Sequence, residues 1–235
     1  MAHSFGVVEE KLLESEFFLR HFQESRPATV ESRYYFSAFV SAARSVTFAL
    51  QFSLNGIEGF EEWFVQAQQI LKADALAPHF VQIRNGIEKK GVNPLNVVPQ
   101  THLREYMFSQ LVNRSSSHTM VLASARSETA SGLINSRAAT DSYFRLLASL
   151  VFGAYDKFKT IVDPRWYYTQ ESFEAQGRTL ADAVVELGFP PSWAAVAPNG
   201  QDAWRVIRAQ QPACALIKLF RSYLGKVVVE PDEAA

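Results

Sequence analysis

The chain has 235 residues, enough to bury a substantial core as one domain or as a core with a smaller appendage. Hydrophobic residues at 48% and charged residues at 20% exclude a generally disordered protein, and 23 basic against 24 acidic side chains exclude a global basic field. A single cysteine excludes an intramolecular disulfide, and no uncharged apolar run reaches the roughly 20 residues that span a bilayer. We therefore expect a cytoplasmic protein with no membrane partner.

Apolar residues at helical spacing predict four helices in the first part of the chain. The first helix covers residues 7–24, and the second follows a Thr29 cap and continues to about Phe52. The third covers Gly59–Ala73, and Asp74 is placed to cap the fourth.

The second part of the chain has a less regular pattern. The predicted elements are, in chain order, a loop at 93–99, a short helix at 101–113, a loop or hairpin at 115–136, a long helix from about Ala138 to Pro164, a helix over Ser172–Leu187 and a last helix over Asp202–Leu224, interrupted or kinked at Pro212.

These elements indicate an all-α fold. We expect an up-and-down helical bundle over residues 1–98 and a helical C-terminal region over 99–235 packed on it, with the two forming either separate domains or one continuous domain. The segment near 115–136 is expected to be a small β-hairpin or an irregular insert.

Common catalytic signatures are absent from the sequence, including phosphate loops, dinucleotide fingerprints and zinc motifs. The five histidines lack partners at metal-binding spacing, so we expect neither a metal site nor a cofactor. Cys214, which lies among small and aliphatic residues, is expected to be a buried core residue rather than a nucleophile.

The residue pair Arg84-Asn85 is the strongest candidate for a functional site. Arg84 borders the apolar stripe of the fourth helix and precedes Glu88 by one helical turn. Two interpretations stay open: an intrahelical ion pair between Arg84 and Glu88, or a guanidinium and an amide that face a cleft and hold a phosphate or a base. Lys89 and Lys90 add a small basic spot or neutralise the helix end.

Two further arginines are candidates for nucleotide binding. Arg33 and Arg44 are separated by three turns of the second helix and lie at nearly the same angle on it. They either line a groove together with Arg84 or form ion pairs with acidic neighbours.

The sequence from Tyr34 to Arg44, followed two helices later by Ile83-Arg84-Asn85, resembles the HEPN superfamily of helical bundles. This resemblance covers the N-terminal half and implies a four- or five-helix bundle that dimerises, and a metal-independent RNA endonuclease of toxin–antitoxin or anti-phage systems. The family motif is an arginine, often followed by a polar residue, and then a histidine after four to six intervening residues.

The motif histidine is missing from this chain, because Lys89, Lys90 and Gly91 occupy the three positions where it would stand. A histidine transfers protons near neutral pH, whereas an ordinary lysine remains charged and can only stabilise negative charge. The resemblance therefore implies the fold and a site at Arg84, Asn85, Lys89 and Lys90 more strongly than it implies cleavage.

We expect a HEPN-like protein that contacts RNA or nucleotides around Arg84-Asn85, with weak or no ribonuclease activity, in a prokaryotic defence or toxin–antitoxin setting. Whether it is an enzyme stays open, a homodimer is expected, and DNA binding is not. The alternatives are a non-catalytic helical interaction module, and a small-molecule-binding bundle with its pocket lined by Trp63, Phe64 and Phe80.

Overall fold

A computed structural model describes residues 4–26, 29–91, 95–99, 118–123, 133–196, 200–229 and 231. Helices predominate in these residues, which confirms the all-α prediction. The helices are α1 (Gly6–Glu24), α2 (Val30–Leu54), α3 (Phe60–Ala73), α4 (Ala77–Lys90), α5 (Ser136–Val162), α6 (Pro164–Tyr167), α7 (Gln170–Glu174), α8 (Leu180–Glu186), α9 (Trp193–Val196), α10 (Gly200–Ala209) and α11 (Ile217–Leu219), which continues as a π-helical turn over Phe220–Leu224. In this described part of the chain no helix is both long enough and apolar enough to cross a membrane.

The chain divides into two compact units. The central unit is Glu10–Leu147, and the terminal unit combines the residues up to Glu9 with those from Ala148 onward. The expected boundary between residues 98 and 99 falls inside the central unit, and the assignment of domains stays a prediction.

The central unit contains α2, α3, α4 and the first part of α5, with aromatic side chains in its core. The ring of Phe80 on α4 stacks on Tyr143 of α5 with centroids 4.4 Å apart, and Phe39 of α2 meets both rings edge-on. Burial raises the pKa of Tyr143 to about 12, in keeping with a hydroxyl set in an apolar environment. This cluster joins three helices and fixes α4 against α2.

The same unit contains a small antiparallel sheet of strands β1 (Leu95–Pro99), β2 (His118–Ala123) and β3 (Leu133–Asn135), in that order. Strands β2 and β3 lie within the segment where a hairpin was expected. The predicted loop at 93–99 is wrong over Leu95–Pro99, because these residues pair with β2. β1 is an edge strand, where a proline that cannot donate a hydrogen bond is tolerated. The predicted helix at 101–113 lies outside the described residues.

The terminal unit is built on the second part of α5 and the helices that follow it. Its aromatic core includes Tyr167, Tyr168, Phe173 and Trp204. The predicted helix over Ser172–Leu187 is wrong as one element, because the chain turns at Gly177 (φ 67°) and restarts as α8. The predicted interruption at Pro212 is confirmed, since α10 ends at Ala209 and α11 begins at Ile217.

Candidate functional site

Arg84 is held on the surface of α4 by its own neighbours. Its Nη2 lies 2.5 Å from Glu88 Oε2, and its Nη1 donates a hydrogen bond to Asn85 Oδ1 at 3.3 Å. The Nε atom is buried and has no hydrogen-bond partner among the described residues. The intrahelical ion pair is therefore present, but it leaves the guanidinium incompletely satisfied.

Helix α2 contributes to this site through Ser41. Its hydroxyl donates a hydrogen bond to Glu88 Oε1 at 3.0 Å, while the other carboxylate oxygen accepts from Arg84. Glu88 thus links the two helices and fixes the orientation of Arg84. The side chains of Arg84 and Glu88 remain 31% and 37% exposed, so a solute can reach both.

Lys89 and Lys90 lie in the last turn of α4 and are exposed. Gly91 ends the helix in the left-handed conformation (φ 65°), and its N–H donates to the carbonyl of Ile87 at 3.0 Å. The two ammonium groups therefore lie at the negative end of the helix dipole, one turn beyond Arg84.

The structure places the two other candidate arginines on α2. Arg44 Nη1 donates to Thr47 Oγ1 at 2.9 Å, and its guanidinium lies 4.3 Å from the centroid of the Phe48 ring. Arg33 is exposed near the start of the helix. The hydrogen bond and ring contact of Arg44 thus lie within α2, and its charge also acts on Tyr143 of α5, whereas Arg84, Asn85, Glu88 and Ser41 form one cluster.

The described partners of Arg84 are Asn85 and Glu88, so no histidine among them can transfer a proton. His79 lies earlier on α4, and burial lowers its pKa, which favours the neutral ring. The described residues also contain no group of three or more potential metal ligands. The cluster thus offers a guanidinium and an amide as hydrogen-bond donors, with the carboxylate of Glu88 beside them.

The aromatic residues expected to line a pocket belong to two different stacks. Trp63 and Phe64 stack with Phe60 within α3, at centroid distances of 6.0 and 5.3 Å. Phe80 instead packs on Tyr143 in the core.

A polar cluster in the terminal unit is centred on Glu186. Arg178 forms an ion pair with this carboxylate and donates to the hydroxyl of Tyr167 at 2.9 Å, while Tyr168 donates to Glu186 at 3.2 Å. Burial alone would raise the pKa of Glu186. Hydrogen bonds to the carboxylate, which include those from Arg178 and Tyr167, lower the pKa by more than burial raises it, to about 2. The Arg178 guanidinium also covers the ring of Phe173, which ties the cluster to the core.

Two cavities also lie within the terminal unit. One has a volume of about 310 Å³ and is lined by Glu9, Tyr155, Asp163 and Cys214 among others. Tyr155 donates to Asp163 at 2.5 Å, and burial raises the pKa of the Cys214 thiol. The other is an apolar groove of about 450 Å³ beside the stacked rings of Phe189 and Trp193.

Ser41 and the bridging role of Glu88 were missed by the sequence analysis. The spacing of Arg84 and Glu88 indicated the ion pair, but Ser41 lies 47 residues from Glu88, and no local pattern connects them.

Comparison with protein families gives a match to the central unit. The family described as bacteriophage lambda protein ea47 matches residues 13–147, more than half of the 235 residues and nearly the whole central unit. Neither curated proteins nor solved structures gave a match to this chain. The chain belongs to the family of bacteriophage lambda protein ea47.

Proposed function

We propose that this protein contacts RNA or a nucleotide phosphate through Arg84 and Asn85, with Lys89 and Lys90 as auxiliary cations and with weak or no ribonuclease activity. The observation that carries the proposal is the state of Arg84. Its guanidinium is oriented by Asn85 and Glu88 and is partly exposed, and its buried Nε atom has no hydrogen-bond partner among the described residues.

A planar guanidinium that is already oriented loses little side-chain entropy when it binds a phosphate. Phosphate oxygens accept charge-assisted hydrogen bonds from Arg Nη atoms, and the Asn85 amide supplies a donor beside them. Three cations at residues 84, 89 and 90 against the single carboxylate of Glu88 leave this end of α4 positive.

Weak or absent cleavage follows from the chemistry of the cluster. Abstraction of a proton from a ribose hydroxyl requires a general base, and the partners of Arg84 in the described part of the chain, Asn85 and Glu88, include no histidine. The resemblance to HEPN proteins supports the position of the site, and the family's namesake, a bacteriophage protein, is in keeping with a role in a prokaryotic defence or toxin–antitoxin setting.

The direct test is RNA binding by the wild type, Arg84→Ala and a matched control, Arg145→Ala. Arg145 also forms an exposed ion pair across one helical turn, with Asp141 at 2.7 Å. We expect Arg84→Ala to lose about tenfold or more in affinity for single-stranded RNA, measured by fluorescence anisotropy, and Arg145→Ala to bind like the wild type.

RNA should remain intact in EDTA with all three proteins. Equal binding by Arg84→Ala and Arg145→Ala would exclude Arg84 as a phosphate contact and would favour the alternative of a non-catalytic interaction module. That alternative is supported by exposed aromatic side chains on α2, including Tyr34 and Phe52.

A further inference from the structure

Helix α2 has two different apolar faces. One face packs into the core of the central unit through residues such as Phe36, Phe39 and Leu50. On the opposite side of the helix, Val30, Tyr34, Phe48 and Phe52 remain 59%, 71%, 52% and 79% exposed. Exposed side chains of this size, aligned on one helix, are typical of an interaction surface.

The spacing on this outer face is regular. Its positions are separated by three or four residues, which keeps them on one side of the helix. They are residues 30, 34, 37, 41, 45, 48 and 52. The three central positions are the serines Ser37, Ser41 and Ser45. We call this set the outer stripe.

The outer stripe has the same pattern of large and small residues when read in either direction from Ser41. Tyr34 and Phe48 lie seven residues to either side of it, and Val30 and Phe52 lie eleven to either side. When a second copy is turned about a two-fold axis at Ser41, this pattern places small residues opposite small ones at the centre and large apolar residues opposite each other at both ends.

We propose that the outer stripe of α2 binds the outer stripe of a second copy of this chain, in antiparallel orientation, with the two-fold axis at Ser41. Tyr34 then lies against the partner's Phe48, and Val30 against the partner's Phe52. The serines at the centre allow the two helices to approach closely, while the larger side chains interlock at both ends. This proposal does not rest on RNA contact.

The central hydroxyl groups favour such pairing because two of them are already satisfied. Ser41 donates to Glu88 at 3.0 Å, and Ser45 donates to the carbonyl of Ser41 at 3.1 Å. Water can therefore leave these positions when the two copies bind, and both hydroxyl donors keep their hydrogen-bond acceptors. No position of the stripe itself carries a charged side chain, and the carboxylate that adjoins its centre, Glu88, is paired with Arg84 of the same copy.

The area is sufficient for a specific dimer. A buried aromatic side chain removes on the order of 150–250 Å² from water, so three exposed aromatics and a valine from each copy bring the total to on the order of 1,000 Å². That is about the minimum of roughly 1,000 Å² expected of a specific interface, and it is reached with a second copy because every contact is made twice.

Sedimentation velocity tests the proposal on the wild type, Phe52→Glu and Tyr34→Glu. A matched control is Ile70→Glu, which places the same charge on an equally apolar, 59% exposed position of α3. We expect a dimer for the wild type and Ile70→Glu, and a loss of roughly a hundredfold or more in dimer affinity for the two stripe variants, because each buries two carboxylates at the interface. Circular dichroism checks that all four are folded.

Crosslinking locates the axis. With Cys214 buried, Ser41→Cys introduces the accessible thiol, and a short bismaleimide should join two copies through it, whereas Ser142→Cys on α5 should not crosslink. A monomeric wild type at every concentration would overturn the proposal and leave the stripe to another partner. A dimer that withstands both stripe variants, or that fails to crosslink at residue 41, would also overturn it.

Discussion

Replacement of Glu88 by Gln separates a structural role of Arg84 from a role in RNA contact. Glu88 neutralises the guanidinium at 2.5 Å and accepts from Ser41 at 3.0 Å. Glutamine keeps an acceptor for Ser41 and removes the negative charge beside Arg84. The variant therefore removes the counter-charge of Arg84, while Asn85 still accepts from the guanidinium and the link between α2 and α4 is preserved.

The expected effects on binding and on stability have opposite signs. Removal of the Glu88 negative charge, a few ångströms from a bound phosphate at the surface, should make the free energy of RNA binding more favourable by about 1 kcal/mol. This corresponds to roughly a fivefold gain in RNA affinity. Loss of an exposed ion pair across one helical turn lowers the free energy of unfolding by only about 0.3–0.5 kcal/mol. Glu88→Gln should thus bind RNA more tightly although it is slightly less stable.

Fluorescence anisotropy with single-stranded RNA at low salt measures the affinity, and urea unfolding measures the stability. Asp141→Asn is the matched control, because it breaks the comparable pair with Arg145 on α5. If Glu88→Gln binds RNA no better than Asp141→Asn does, the reasoning that Arg84 receives a phosphate is refuted.

Three further outcomes are expected. Phe80→Ala should lower the free energy of unfolding by about 3–5 kcal/mol in urea, since it removes a ring that is 1% exposed, whereas Ile70→Ala, at a 59% exposed position outside the outer stripe, should change it by about 0.5 kcal/mol or less. The pKa of Glu186 is about 2 in the folded protein and about 4.3 in the unfolded chain. Its carboxylate therefore stabilises the fold above pH about 4.3, and this stabilisation is lost as the pH falls from about 4.3 to about 2. Arg178→Ala should weaken this acid dependence, measured as the free energy of unfolding against pH. Burial raises the pKa of the Cys214 thiol, so a disulfide reagent such as DTNB should react with it only slowly at pH about 8 until denaturant is added; fast reaction in the native protein would contradict its burial.

Local sequence signals predicted the helix starts well. The Thr29 side chain accepts a hydrogen bond from the N–H of Ser32, and Asp74 accepts from the N–H groups of Leu76 and Ala77, both at 2.8 Å. A cap acts within one turn, so its signal is contained in a few consecutive residues. The burial of Cys214 was predicted correctly for a similar reason, because its immediate neighbours are small and apolar.

Signals that depend on distant residues or on competing local preferences were harder to interpret. Strand β1 was predicted as a loop, because its partner residues in β2 lie 19 to 27 residues further along the chain. The prediction of one helix over Ser172–Leu187 overlooked two local signals. Gly177 interrupts the helix, and the capping box of Thr179 and Asp182 starts α8. At the candidate site, the sequence indicated Arg84 and Glu88, whereas the bond from Ser41 depends on how α2 packs on α4.

The terminal unit draws its parts from both ends of the described chain. Phe5 packs against Tyr155, and Glu9 accepts a hydrogen bond from the N–H of Ala215. During synthesis on a ribosome, the second contact has to wait until about 200 further residues have been made after Glu9. The central unit can fold earlier, while Phe5 stays exposed to water and available to chaperones. Folding of the terminal unit should therefore depend on release of the segment around residue 215, and a nascent chain stalled before that residue should be sensitive to proteases near Phe5.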